Sequence, residues 1–209
     1  MRVRAVSPDG LVREIADRVL PAGRDEWVRV AVDGAEAAGT AALADALVEP
    51  LRLGGRAVLR ASAGGFLRPA SLRLEHGRTD PDAFYQDWLD VKGLTRELLA
   101  PLSPGGSGRV LPSLWDAERD RASRASYVDI PPGGVVVLDG PLLLGQGLPL
   151  DLVVHLWLSP GALARRTAPE RRWTLDAYAR YENEVDPAAL ADIVVRADDP
   201  RHPAVVDQG

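Results

Sequence analysis

The chain has 209 residues, 46% of them apolar and 26% charged, which suits one α/β domain with a sizeable core. A formal net charge of −5 argues against a basic nucleic-acid surface, and the absence of cysteine removes disulfides, thiol catalysis and cysteine-bound metals. His76, His155 and His202 lie too far apart in sequence for a zinc motif, and no run of ~18 apolar residues marks a membrane span. The opening "MRVRAVSPDGLVREIADRVL" has no uninterrupted apolar core or small-residue cleavage site, so a cytoplasmic protein is expected.

In chain order, Ser7 and Asp9 can cap a helix over 10–20, with Leu11, Ile15, Val19 and Leu20 as its apolar stripe. "WVRVAVD" (27–33) reads as a buried strand. Residues 40–52 read as a helix with Leu43, Leu47 and Leu51 on one face, followed by a strand, "AVLRASA" (57–63). Asp80 and Pro81 can open a helix that continues through "DAFYQDWLDVKGLTRELLAPL". After the glycine-rich "SPGGSGRV" come three more apolar strands: "PPGGVVVLDG" (131–140), "LDLVVHLWLS" (150–159) and "ADIVVRA" (191–197). Residues 160–183 between the last two are helical and arginine-rich. Strands alternating with helices, the strands being continuous apolar runs, predict an α/β fold: a parallel five-stranded sheet flanked by helices, in one domain over 1–209. Ligands in such sheets bind beyond the carboxyl ends of the strands. Asp33, Gly64 and Asp139 fall at or next to three of those ends.

The stretch "VAVDGAEAAGT" carries the glycine spacing of a phosphate-binding loop, G-x-x-x-x-G-K-[ST], at Gly34 and Gly39. In such a loop the lysine reaches the phosphates and the hydroxyl binds Mg²⁺. Here Thr40 stands at the lysine position and Ala41 at the hydroxyl position, and Glu36 adds a carboxylate inside the loop.

Six segments in order, "VAVDGAEAAGTAALADAL", "VLRASAGGFLRPA", "DPDAFYQDWLD…LTRELLAPLSPGGSGR", "VVVLDGPLLL", "DLVVHLWLS" and "DPAALADIVV", resemble the uridine kinase-like, actinobacterial branch of the P-loop nucleoside kinases. The resemblance covers about residues 7–206. It implies a P-loop kinase fold, ATP and Mg²⁺ as cofactors, a nucleoside acceptor, and a lid over 160–183 that carries Arg165, Arg166, Arg171 and Arg172 and closes over the phosphates, with Arg165 and Arg166 as its nucleotide contacts. It also implies substrate contacts from Phe66, Arg68, Tyr85 and Arg109, and places Asp139 as the surviving acidic group for metal or base chemistry. The family pattern A-S-x-D-G-F-H-x-P reads "ASAGGFLRPA" here, with Gly64 for the catalytic aspartate and Leu67 for the histidine. Thr40, Ala41, Gly64 and Leu67 together predict a pseudokinase: phosphoryl transfer weak or lost, nucleoside or nucleotide binding retained. Two alternatives stand beside it. One is an active kinase in which Arg60, Arg165 or Arg166 replaces the lysine and Asp139 holds metal or acts as base. The other is a non-enzymatic interaction protein that self-associates or pairs with an intact paralogue. No protein-ligated metal, nucleic acid or membrane partner is expected.

Overall fold

The computed structural model describes residues 2–23 and 25–207 of the chain. Strand β1 is Arg2–Ala5 and helix α1 is Pro8–Val19. Strand β2 (Val28–Gly34) leads through the glycine loop into α2 (Thr40–Leu53), which returns to β3 (Val58–Ser62). Short helices follow: α3 (Ala70–Arg73), α4 (Pro81–Gln86) and α5 (Val91–Leu94). Two antiparallel ladders of two residues each come next. The first pairs β4 (Arg109–Val110) with β7 (Val128–Asp129), the second β5 (Trp115–Asp116) with β6 (Arg121–Ala122). Strands β8 (Val135–Gly140) and β9 (Leu152–Trp157) are then followed by α6 (Pro160–Arg166), α7 (Leu175–Glu184) and α8 (Pro187–Leu190). The described chain closes with β10 (Ile193–Arg196) and β11 (Ala204–Asp207).

The main sheet runs β1-β11-β10-β9-β2-β8-β3. Its five strands from β10 to β3 are parallel and are the five expected from the apolar runs. The sheet has seven strands rather than five, because β1 and β11 add an antiparallel edge. Each is only four residues long and takes its order from pairing: Val3 lies opposite Val206, and Val206 opposite Val194. Neither segment has enough periodicity to be read as a strand alone.

The central strands are buried on both sides because side chains alternate between two cores. Val28, Val30 and Val32 of β2, with Val135 and Val137 of β8, face Leu11 and Ile15 of α1 and Leu47 and Leu51 of α2. Ala31, Val136 and Leu138 point the other way, into a core with Leu94, Leu98, Leu99, Tyr178 and Tyr181. Ser7 caps α1 by accepting from the Gly10 N–H at 3.1 Å, as its position before Pro8 predicts.

The helix expected from Pro81 to about residue 101 is not continuous. It breaks at residues 87–90, where the chain pairs with the segment after β3. Arg68 N–H donates to Trp88 O and Asp90 N–H to Phe66 O, each at 2.8 Å. Asp90 then restarts the helix by capping α5 through the Gly93 N–H. The arginine-rich segment is likewise divided, into α6, a 3₁₀ turn at Pro169–Thr174, and α7.

Candidate functional site

The loop after β2 keeps its glycine geometry. Gly34 has φ +142°, and a Cβ there would lie 2.7 Å from the Leu156 carbonyl of β9. Gly39, at φ +88°, turns the chain left-handed immediately before α2. Between them Glu36–Ala38 wind into a 3₁₀ turn. The Ala38 N–H donates to Ala35 O at 2.8 Å, and the Gly39 N–H to Glu36 O at 3.0 Å. Two amides that an open phosphate nest would aim at a ligand are thus satisfied by the loop's own carbonyls. Thr40 is buried at the first position of α2, and Ala41 follows it without a hydroxyl.

Two of the three arginines considered as a lysine substitute are already engaged by other groups. Arg60 bonds Asp45 at 2.8 Å and places Nη2 2.7 Å from Asp139 Oδ1. Arg166 donates to the Ala197 carbonyl at 2.7 Å while lining a 740 Å³ cleft beside Ala35, Glu36 and Ala37. Arg165 is exposed on α6. Asp139 itself is buried at the end of β8, in register with Ser62. A magnesium ion held as in phosphoryl-transfer enzymes of this fold needs a hydroxyl at position 41 and a free carboxylate at 139. Ala41 offers no oxygen, and the Asp139 carboxylate already faces the Arg60 guanidinium. Among the described residues no cluster of three or more His, Asp or Glu could hold a metal. Of these two groups the chain keeps the Asp139 carboxylate, whose buried Oδ1 makes no hydrogen bond although Arg60 Nη2 lies 2.7 Å away, and lacks the hydroxyl, so the site fits the ion only in part.

Beside the loop, a cavity of 360 Å³ opens at the carboxyl ends of β3 and β8. Its lining includes Gly64, Leu67, Tyr85, Trp88, Asp139 and Arg171. A Cβ at Gly64 would meet only Ser62 Oγ, at 3.6 Å, so space for a side chain remains where the catalytic aspartate of the family pattern would project. One wall is aromatic: Phe84 packs edge-on against Trp88, Trp173 and Tyr178, with ring centroids 5.1, 5.6 and 5.8 Å away. The Arg171 guanidinium sits 5.4–5.7 Å from the ring centroids of Phe84, Trp88 and Trp173. Burial pushes the Tyr178 phenol well above its ordinary range. Tyr85 reaches Glu184 with its hydroxyl at 3.2 Å and carries Arg180 over its ring at 4.5 Å.

The structure therefore brings Thr40, Ala41, Gly64, Leu67, Tyr85 and Asp139 to one cavity. It places the other three residues of the expected substrate set elsewhere. Phe66 is fully buried in the core behind the cavity. Arg68 pairs with Asp87 at 3.3 Å. Arg109 lies on β4, over the ring of Tyr127 at 5.1 Å. Of the arginines in the expected lid, Arg171 is the one that lines this cavity. "LARRTAPERRW" shows four arginines, but only the 3₁₀ turn at 169–174 decides which one turns inward.

Behind the loop, Asp33 is completely buried and fully used. It accepts from the Leu143 N–H at 2.8 Å, the Tyr181 hydroxyl at 3.0 Å and His155 Nδ1 at 2.7 Å. Burial opposes a charge on His155, but Asp33 and Glu182 on either side outweigh it and raise its pKa to about 9. The same acidic neighbour and burial push the Tyr181 phenol far above its ordinary range.

No protein-family model matches the chain. No curated protein matches it in sequence. Solved structures do match. A protein from Bacillus stearothermophilus described as a possible uridine kinase superposes with a TM-score of 0.69 at 21% identity, covering 88% of this chain and 96% of that one. A candidate fructose transport system kinase from Silicibacter sp. TM1040 superposes with a TM-score of 0.58 at 22% identity, covering 88% and 93%. Among the described residues no helix is long and apolar enough to cross a membrane. At these identities the likeness speaks to architecture, and it agrees with the parallel strand order and the glycine loop between β2 and α2: the chain has the uridine kinase-like P-loop kinase fold.

Proposed function

We propose that this protein is a uridine kinase-like pseudokinase of the cytoplasm: it binds a nucleoside or nucleotide in the aromatic cavity and transfers phosphate weakly or not at all. One observation carries the reading. Thr40, Ala41, Gly64 and Leu67 stand around a single cavity that stays open and aromatic-lined, while Asp139 is paired with Arg60. The cavity, at 360 Å³, falls in the ~300–1,000 Å³ range of small-molecule sites. A charge-assisted hydrogen bond of the missing lysine is worth roughly 1.5–3 kcal/mol, about ten- to a hundredfold in binding. The missing base accounts for a further ~10²–10⁴-fold in rate.

Calorimetry with uridine and with ATP and Mg²⁺, beside a coupled kinase assay, tests this. The expected result is saturable uridine binding with turnover far below ~1 s⁻¹. Turnover at or above that rate overturns it. A triple variant, Thr40→Lys, Ala41→Thr and Gly64→Asp, restores ATP binding if the scaffold is intact, since position 64 has room. The reading in which Arg60, Arg165 or Arg166 replaces the lysine is weakened for Arg60 and Arg166, whose guanidinium groups are already engaged. Light scattering and pull-down test self-association or pairing with an intact paralogue.

A further inference from the structure

A second cavity, of 430 Å³, opens beside the glycine loop, between the carboxyl end of β9 and α7. It is separate in chemistry from the aromatic cavity. Its walls are mainly apolar, with Leu156, Leu158, Leu163 and Leu175 among them. Its ionisable lining groups are His155 and the α7 residues Asp176, Tyr178, Tyr181 and Glu182.

His155 is 2% exposed, and its Nε2 has no hydrogen-bond partner. The other ring nitrogen is committed. Asp33 accepts from the Leu143 N–H and the Tyr181 hydroxyl and faces Nδ1 of the ring at 2.7 Å. Glu182 Oε1 lies 3.6 Å from Nε2, close enough to attract a proton there and too far to bond it. Acidic groups flank the ring at both nitrogens, Asp33 2.7 Å from Nδ1 and Glu182 3.6 Å from Nε2, and this placement favours a proton on Nε2 as well as on Nδ1. An unmet donor and an adjacent carboxylate acceptor thus stand side by side on an apolar wall. The Glu182 side chain, 41% exposed, is the movable part of that wall.

This pairing selects its ligand. The acidic groups of α7 disfavour an anion, and the imidazolium disfavours a cation. A neutral amide edge satisfies both: its carbonyl oxygen accepts from His155 Nε2, and its N–H donates to Glu182. We propose that the second cavity is a binding site for a small, flat, neutral molecule with a lactam or carboxamide edge, read by His155 and Glu182. The proposal is independent of what the aromatic cavity binds.

Uracil is the probe, with uracil methylated on both ring nitrogens as the control that keeps the carbonyls and loses the donors. Binding is followed by calorimetry and by the NMR resonance of His155 Nε2. Uracil is expected to bind saturably and to move that resonance, and the methylated compound to do neither. Glu182→Ala weakens uracil about tenfold, the value of one charge-assisted hydrogen bond. Ala179→Trp, at an exposed α7 position lining the cavity, abolishes the resonance shift by filling the space. The proposal is overturned by an unmoved His155 resonance at millimolar uracil, by equal binding of the methylated compound, or by an unchanged shift in Ala179→Trp.

Discussion

Asp33 concentrates more structural consequence than any residue in the loop it precedes. Its carboxylate joins β2 to the chain after β8, to β9 and to α7 through three hydrogen bonds, all in the core. Removing one partner of such a buried set leaves the rest unsatisfied, so Asp33→Asn is expected to cost about 3 kcal/mol or more in urea denaturation. The partner His155 adds a pH dependence. Its folded pKa of about 9 lies above the unfolded value of roughly 6.5. Its contribution is therefore complete below that unfolded value and is lost as pH rises through about 9. Denaturation between pH 6.5 and 9 is expected to show stability falling by at most about 1.4 kcal/mol per pH unit, and His155→Asn to flatten that slope. The groups facing the ring are Asp33, Tyr181 and Glu182. Asp33 was legible in the sequence as an acid at the end of a buried strand. Its histidine partner was not, because the parallel pairing of β2 with β9 sets them side by side across more than a hundred residues.

At the scale of elements, the sequence located the five parallel strands and the helices α1 and α2 to within a few residues. It did so because central strands are continuous apolar runs and surface helices carry an apolar stripe. It failed at the break between α4 and α5. Two of the four residues there are aspartates, which favour caps over helix interiors, and the backbone of residues 88–90 is drawn into pairing with residues 66–68. Asp90 holds that break by capping α5. Asp90→Ala is expected to cost about 1 kcal/mol in thermal denaturation. It is also expected to loosen the cavity wall formed by Trp88 and Leu89, seen as weaker uridine binding. The loop shows the reverse case. Glycine spacing was readable, but the 3₁₀ turn that consumes the Ala38 and Gly39 amides was not, since spacing does not report where an N–H points.

Across the whole molecule, the antiparallel pair β1 and β11 lies beyond β10, on the opposite side of the sheet from the β3–β8 edge that carries the aromatic cavity. Stability and ligand binding are therefore separable there. Deleting residues 1–6 removes β1 and leaves the edge of β11 unpaired. The truncated protein is expected to melt several degrees lower and to keep its uridine affinity by calorimetry. Equal loss of both would show that the edge supports the cavity.

By itself the sequence determined the α/β architecture and the glycine loop after the first parallel strand. Those properties are written in local pattern and spacing, which a linear chain displays directly. The tertiary structure decided which arginine meets which group: Arg60 at Asp139, Arg166 at the Ala197 carbonyl, Arg171 against the aromatic wall. It also decided that His155 shares Asp33 with Tyr181 and that its second nitrogen is unpartnered beside an open cavity. A long side chain reaches several elements from one position, so its partner is fixed only when strand order and register bring those elements together.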